Sequence, residues 1–144
     1  MVVDSIKTGI VIDHITAGFG LSVIDHLDID KKGDNRIACI MNASSKKYGK
    51  KDVVKIENLV DVDMAVLGLI DPNATVSIIE NGVVTQKINL KLPNKVVNVL
   101  KCKNPRCVTS IEANVSQVFY LTDAQLRQYR CEYCDDLVIV KGDY

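Results

Sequence analysis

No stretch of this sequence stays apolar for the ~18 residues that a membrane-spanning helix requires. The chain has no tryptophan, only two phenylalanines and only two histidines in 144 residues. Few aromatic and imidazole side chains leave little for base stacking or for histidine-based catalysis. The opening run MVVDSIKTGIVIDHI carries Asp4 and Asp13 and has no basic segment leading into an apolar core. No secretory signal is therefore expected, and the expected location is cytoplasmic. Net charge is missing too: 18 Lys/Arg stand against 18 Asp/Glu. The balance holds locally, with twelve of each sign in residues 1–97 and six of each in residues 98–144. A nucleic-acid binder generally shows a basic face that releases counterions from phosphate, and neither part has that excess. A phosphate-cradling Gly-x4-Gly-Lys-Ser/Thr loop and a strained serine elbow are both absent.

What is present suits a globular chain: 47% hydrophobic and 25% charged residues. The first two thirds alternate short β-branched runs with helix-patterned ones. VVDSI and GIVIDHI read as strand segments. GFGLSVIDHLDI places Val23, Ile24 and Leu27 at helical spacing. NRIACIMN predicts a strand buried on both faces, and after the turn SSKKYGKK a second strand, DVVKIENLV, completes a hairpin. DVDMAVLGLI predicts a second helix, with Asp61 or Asp63 accepting from its first free N–H groups. TVSIIE and VVTQKINL flank Asn81-Gly82, a strong two-residue hairpin signal. The order β-α-β-β-α-β plus one strand predicts a ferredoxin-like α+β domain, an antiparallel sheet with two helices on one face.

Pro93 in KLPNK interrupts this pattern. The expected division is 1–95 and 96–144. VVNVLKC, CVTSIEANVSQVFYL, QYRC and DLVIVKG read as short strands, predicting a small all-β unit of the zinc-ribbon or rubredoxin-like kind. So few residues rarely bury enough apolar surface without a staple. Cys102-x4-Cys107 and Cys131-x2-Cys134 supply a candidate staple, two close pairs able to surround one Zn²⁺ tetrahedrally. Disulfides or unlinked thiols are the alternative, disfavoured in a reducing cytosol. Iron–sulfur ligation lacks the C-x2-C-x2-C run common to many clusters. A closed four-cysteine shell leaves no position for water or substrate, so a structural metal is expected and not a catalytic one. Cys39, among apolar neighbours, reads as a core residue.

Asp13-His14 is the one acid–base couple. Adjacent strand residues point to opposite faces, so the two are not expected to act on one group. His26 reads as a half-exposed helix residue. Lys46, Lys47 and Lys50 fit a solvated turn. Lys55 and Lys87 sit inside strand patterns, where phosphate, ribose or plain exposure would each account for them.

SIKTGIVIDHI, KDVVKIEN, ATVSIIEN, LPNKVVNVLKCKNPRC and CEYC follow one another in an order that resembles the regulatory chain of aspartate carbamoyltransferase from end to end. The resemblance implies a non-catalytic, allosteric subunit of pyrimidine biosynthesis. Its first domain would bind nucleotide effectors (CTP and UTP, or ATP) and pair with a second regulatory chain. Its zinc domain would dock on the catalytic chain. Carried over by motif, Asp13 and Lys55 would meet ribose, while His14 and Lys87 would meet phosphates. Backbone around Val3, Asp4 and Ile6, with Val11, Val53, Ile79 and Val84, would frame the base. Lys51 would approach the triphosphate or a second nucleotide. Ser77 and Gly82 differ from the asparagine and tyrosine of well-known members, so effector choice is not carried over. The competing expectations are a zinc-ribbon nucleic-acid-binding protein and a small enzyme using Asp13 and His14.

Overall fold

The computed structural model describes residues 5–27, 29, 33–59 and 61–140. The chain folds as two compact units, with the break after Lys91. None of the described helices is long and apolar enough to cross a membrane.

The first unit is built from β1 (Gly9–Thr16), α1 (Gly20–His26), β2 (Ile37–Ser45), β3 (Gly49–Glu57), α2 (Met64–Ile70), β4 (Thr75–Glu80) and β5 (Val83–Asn89). All five strands join one antiparallel sheet in the order β2-β3-β1-β4-β5. The first strand therefore lies at the centre, flanked by β3, the second strand of the hairpin, and by β4, which follows α2. This is the ferredoxin-like arrangement, with β5 added beyond β4. Ile10, Ile12 and Ile15 of β1, Val54 and Ile56 of β3 and Val76 of β4 pack against Val23 and Leu27 of α1 and Leu67 and Ile70 of α2. At ~25 cal/mol per Å² of apolar surface removed from water, such a cluster is the main force holding this unit.

Local chemistry explains several boundaries. Asp63 caps α2, its side chain accepting from the N–H groups of Ala65 and Val66 at 3.0 and 3.3 Å. Asn81 and Gly82 both take positive φ, 53° and 79°, as a two-residue primed turn requires. Gly68 is needed for packing: a Cβ there would lie 2.1 Å from the Lys91 carbonyl. Phe19, by contrast, gives α1 no side-chain cap. Asp52 of β3 serves instead, fully buried, its Oδ2 accepting from Gly18 N–H at 3.0 Å and Gly20 N–H at 2.9 Å. Its Oδ1 accepts from Asn42 N–H at 3.0 Å, where the pairing of β2 with β3 shifts register. A capping carboxylate that comes from another strand leaves no local sequence signal.

Two of the strand expectations in the first unit need correction. NRIACIMN is not buried on both faces: β2 is an edge strand, and each of its residues is half-buried or exposed. Only Ile37 and Cys39 pack on the core, because the helices cover a single face of the sheet. Ser5 and Ile6 of VVDSI lie outside any strand. Val3 and Asp4 fall outside the described residues.

The second unit contains β6 (Lys95–Val97), α3 (Val108–Ile111), β7 (Val118–Asp123), β8 (Gln128–Cys131) and β9 (Leu137–Ile139), and the four strands form one antiparallel sheet in sequence order. CVTSIEANVSQVFYL reads as short strand, yet its first part is the helical turn α3. Cys107 takes an extended backbone conformation ahead of that turn, which brings Thr109 back towards the cysteine. Phe119 and Tyr129 are the largest fully buried side chains of this unit. The Tyr129 hydroxyl donates to the Pro93 carbonyl at 2.6 Å, and burial pushes its pKa up to about 12.

Candidate functional site

The four cysteines that stand as close pairs in sequence converge in space. Their Sγ atoms all lie within 4.8 Å of one another, 3.6 Å between Cys102 and Cys134 and 3.8 Å between Cys107 and Cys131. A disulfide would need about 2 Å. Sulfurs held tetrahedrally about 2.3 Å from one ion would sit about 3.8 Å apart, so the spacing fits a metal ion and no disulfide. Cys102, Cys107 and Cys131 are buried and Cys134 is half-buried.

Three of the four thiols are tuned by their surroundings. Burial pushes Cys102 up to about 12, only partly offset by the Asn104 N–H that points at its sulfur. Burial also raises Cys131, against N–H groups from Cys134 and Tyr133. Cys107 is lowered to about 7, chiefly by the Thr109 hydroxyl, which donates to its sulfur at 3.1 Å. Four thiolates could share so buried a place only with a cation among them, which a metal ion would supply. Backbone hydrogen bonds fix both loops. Cys107 N–H donates to the Asn104 carbonyl at 3.1 Å, and Asp135 N–H to that of Cys131 at 3.1 Å. Thr109 was missed from sequence, where it reads as an ordinary strand threonine.

The other candidates belong to the sheet of the first unit, on the face away from the helices. Directly paired residues share a face. Lys55, Val11, Ser77 and Lys87 form one unbroken row across β3, β1, β4 and β5. On one side of it, Gly9 pairs with Ile79 and Ile79 with Val84. Gly9 has no room for a side chain: a Cβ would meet the Ile56 carbonyl at 2.1 Å and Ile6 at 3.0 Å. Ile6 thus closes that end. On the other side stand Val53, Asp13 and Lys51, with Lys51 Nζ 2.9 Å from Asp13 Oδ1. Val11, Lys55 and Ile79 are half-buried, Val53 is buried, and Val84 and Lys87 are exposed. Nine of the ten described candidates from the first unit therefore lie on this sheet face, with Ile6 beside its Gly9 edge; Lys55 and Lys87 stand at the two sides of the middle row, and Asp13, His14 and Lys51 gather at one end.

Asp13 and His14 are not separated by strand alternation as expected. The pairing of β1 with β3 slips between Ile12 and Ile15, and His14 takes φ 59°. Ile12 and Ile15 both face the core, so two successive residues between them are turned away from it. His14 N–H donates to Asp13 Oδ1 at 2.7 Å, and His14 Nδ1 lies 3.1 Å from Thr75 Oγ1. Burial raises the Asp13 carboxyl, but Lys51 and the His14 N–H outweigh it and hold the pKa below the ordinary value. No cysteine or serine nucleophile adjoins this pair among the described residues. Beside it opens a cavity of about 410 Å³, lined among others by His14, Thr75 and Lys87 and also by Lys47 and Tyr48 of the β2–β3 turn.

His26 stays apart from this face: its Nδ1–H donates to the Ser22 carbonyl at 2.8 Å within α1. Cys39 packs on the core, and burial raises its pKa.

A ferredoxin-like unit with an open sheet face, joined to a β unit gathered around four cysteines, defines a two-part metal-binding protein without a catalytic constellation among the described residues. Comparison with known proteins carries this further. Residues 1–91 match the family described as the aspartate carbamoyltransferase regulatory chain, allosteric domain, and residues 94–140 match its metal binding domain. Aspartate carbamoyltransferase regulatory chains of Clostridium botulinum and Clostridium acetobutylicum are each 51% identical over 137 residues, covering 95% of this chain and 93% of theirs. That of Bifidobacterium longum is 45% identical over 136 residues, covering 94% of this chain and 97% of its own. The chain belongs to the aspartate carbamoyltransferase regulatory chain family and is a regulatory, non-catalytic subunit with an allosteric and a metal-binding domain.

Proposed function

We propose that residues 1–95 bind a nucleotide effector on the open sheet face, and that residues 96–144 hold one structural Zn²⁺ through Cys102, Cys107, Cys131 and Cys134. The metal domain then docks on the catalytic chain of a cytoplasmic aspartate carbamoyltransferase, and the first domain pairs with a second regulatory chain. The observation that carries this reading is the row Lys55–Val11–Ser77–Lys87, which sets a lysine at each side of Val11 and Ser77, next to the apolar pair Ile79 and Val84, on the face the helices leave open. A base can lie on Val11, Val53, Ile79 and Val84, next to the backbone of Val3, Asp4 and Ile6. Asp13 and Lys55 reach the ribose, and His14, Lys87 and Lys51 reach the phosphates. CTP, UTP and ATP share this chemistry.

Zn²⁺ supplies charge and cross-linking, with no open position for chemistry. Effector binding alters the catalytic chain only in so far as these contacts differ between two states of the assembly. The charge balance favours a protein partner over nucleic acid.

The test is reconstitution. The chain is mixed with the catalytic chain of its own organism in zinc-replete buffer, and assembly and the aspartate saturation curve are followed with and without CTP, UTP and ATP. Assembly with a nucleotide-dependent curve is expected. Failure to assemble, or a curve indifferent to all three nucleotides, would refute the reading. Metal analysis of the purified chain checks zinc against iron.

A further inference from the structure

The β2–β3 turn looked from sequence like a plain solvated loop, but its position is specific. Ser45 pairs with Gly49 across a three-residue loop, and Gly49 takes φ 79°, the glycine conformation that closes such a hairpin. Tyr48 N–H donates to Ser45 Oγ at 3.2 Å. Lys47 Nζ lies 5.1 Å from the centre of the Tyr48 ring, which holds the ammonium over an aromatic face. The turn so formed reaches the end of β1 and the start of β4. There Lys47 and Tyr48 line the cavity that also takes in His14 and Lys87.

Among the described residues, the lining of that cavity carries two lysines, a histidine, Thr75, Asn73 and Asn89, and no carboxylate. The described acids that adjoin the lining in sequence, Asp13 and Asp71, are already engaged. Asp13 pairs with Lys51, and the buried Asp71 accepts from Thr16 N–H and Asn73 N–H. Neither Lys47 nor Lys87 has an ion-pair partner among the described residues. Cations converging without counter-charge on a space of about 410 Å³ fit an anion larger than one phosphate.

We propose that Lys47, presented by the β2–β3 turn and steadied by Tyr48, is a specificity-determining residue that reads the length of a polyphosphate bound between His14 and Lys87. The proposal rests on the nucleotide reading above for its biological ligand, and on the cavity alone for its anion. A triphosphate reaches Lys47, and a monophosphate stops at His14 and Lys87.

The test measures binding to the full, metal-loaded chain by titration calorimetry, using inorganic tripolyphosphate, CTP and CMP as probes. Lys47→Gln is compared with Lys46→Gln, an exposed neighbour that does not line the cavity. Losing one charge-assisted contact is expected to weaken tripolyphosphate and CTP about tenfold and CMP less than about twofold. Lys46→Gln should leave all three unchanged, and thermal unfolding of both variants should match the parent. An unchanged preference for CTP over CMP in Lys47→Gln would overturn the proposal and leave the nucleotide reading standing. Tripolyphosphate binding that depends on Lys47, with no binding of CTP, would uphold the anion site and sink the nucleotide reading. Failure of all probes to bind the parent would overturn both.

Discussion

The two units are both antiparallel sheets, but different things sit at their centres. In the first, helices α1 and α2 close over one face and bury a continuous cluster from Ile10 to Leu90. In the second, no described helix is longer than the turn α3, and beside Phe119 and Tyr129 the buried centre includes Cys102, Cys107 and Cys131. A long segment can fold around its own apolar residues. A short one substitutes a coordinated ion, and its stability then depends on what is dissolved around it. The same line separates their surfaces: the larger core leaves one sheet face uncovered by helices, while the smaller unit turns its cysteines towards its own interior.

The sharpest way to break the comparison is to remove the metal. Cys134→Ala, or treatment with a strong chelator, should unfold the second unit while the first keeps its structure. Metal binding in such small domains is worth ~10 kcal/mol or more, which the remaining apolar core cannot replace. Amide exchange followed residue by residue would show protection lost in β6–β9 and kept in β1–β5. Surviving protection in β8 would refute the staple.

The reverse experiment targets the apolar core. Ile12→Ala, at a fully buried position, should destabilise the first unit by ~2–5 kcal/mol and leave metal content unchanged. Denaturant unfolding with metal analysis on the same samples checks both halves. A smaller effect is expected from Thr109→Val, which keeps the shape and removes the hydroxyl from the Cys107 sulfur. Metal affinity should fall ~10–100-fold, read by competition with a chromophoric chelator.

Smallest of all is the effect of Asp13→Asn. The Asp13 carboxyl is held below its ordinary pKa of 3.8, so its contribution is present above that value and is lost as pH falls through the lower folded value. The parent should therefore lose more stability than the variant on acidification below about pH 4. Parallel acid-unfolding curves for the two proteins would remove Asp13 from the account.

The parts legible in sequence were those set by neighbours. Asn81-Gly82 announces its turn because few residues accept two positive φ values, and Asp63 announces a helix start because its carboxylate sits two residues from the N–H it caps. The cysteine pairs were legible because short spacings suit metal ligands. What stayed hidden depends on distant partners. Asp52 caps α1 from another strand. The slip in β1 that turns Asp13 and His14 away from the core together arises from pairing with β3. Lys47 looked like every other turn lysine, since nothing local says which cavity a hairpin tip will reach. Alternation in β2 suggested two buried faces, but only pairing order reveals an edge.

The central place of β1 has a consequence during synthesis. Its neighbours in the sheet are β3 and β4, so residues 49–57 and 75–80 must be made before both of its edges are satisfied. Until then Ile10, Ile12 and Ile15 lack part of their cover, since Val76 of β4 belongs to the same cluster. Pairings this far apart close slowly, and an uncovered strand is sticky while it waits. A nascent chain halted before β4 thus still carries its central strand with one edge unpaired, and the segment ending at the turn Asn81-Gly82 supplies the missing partner.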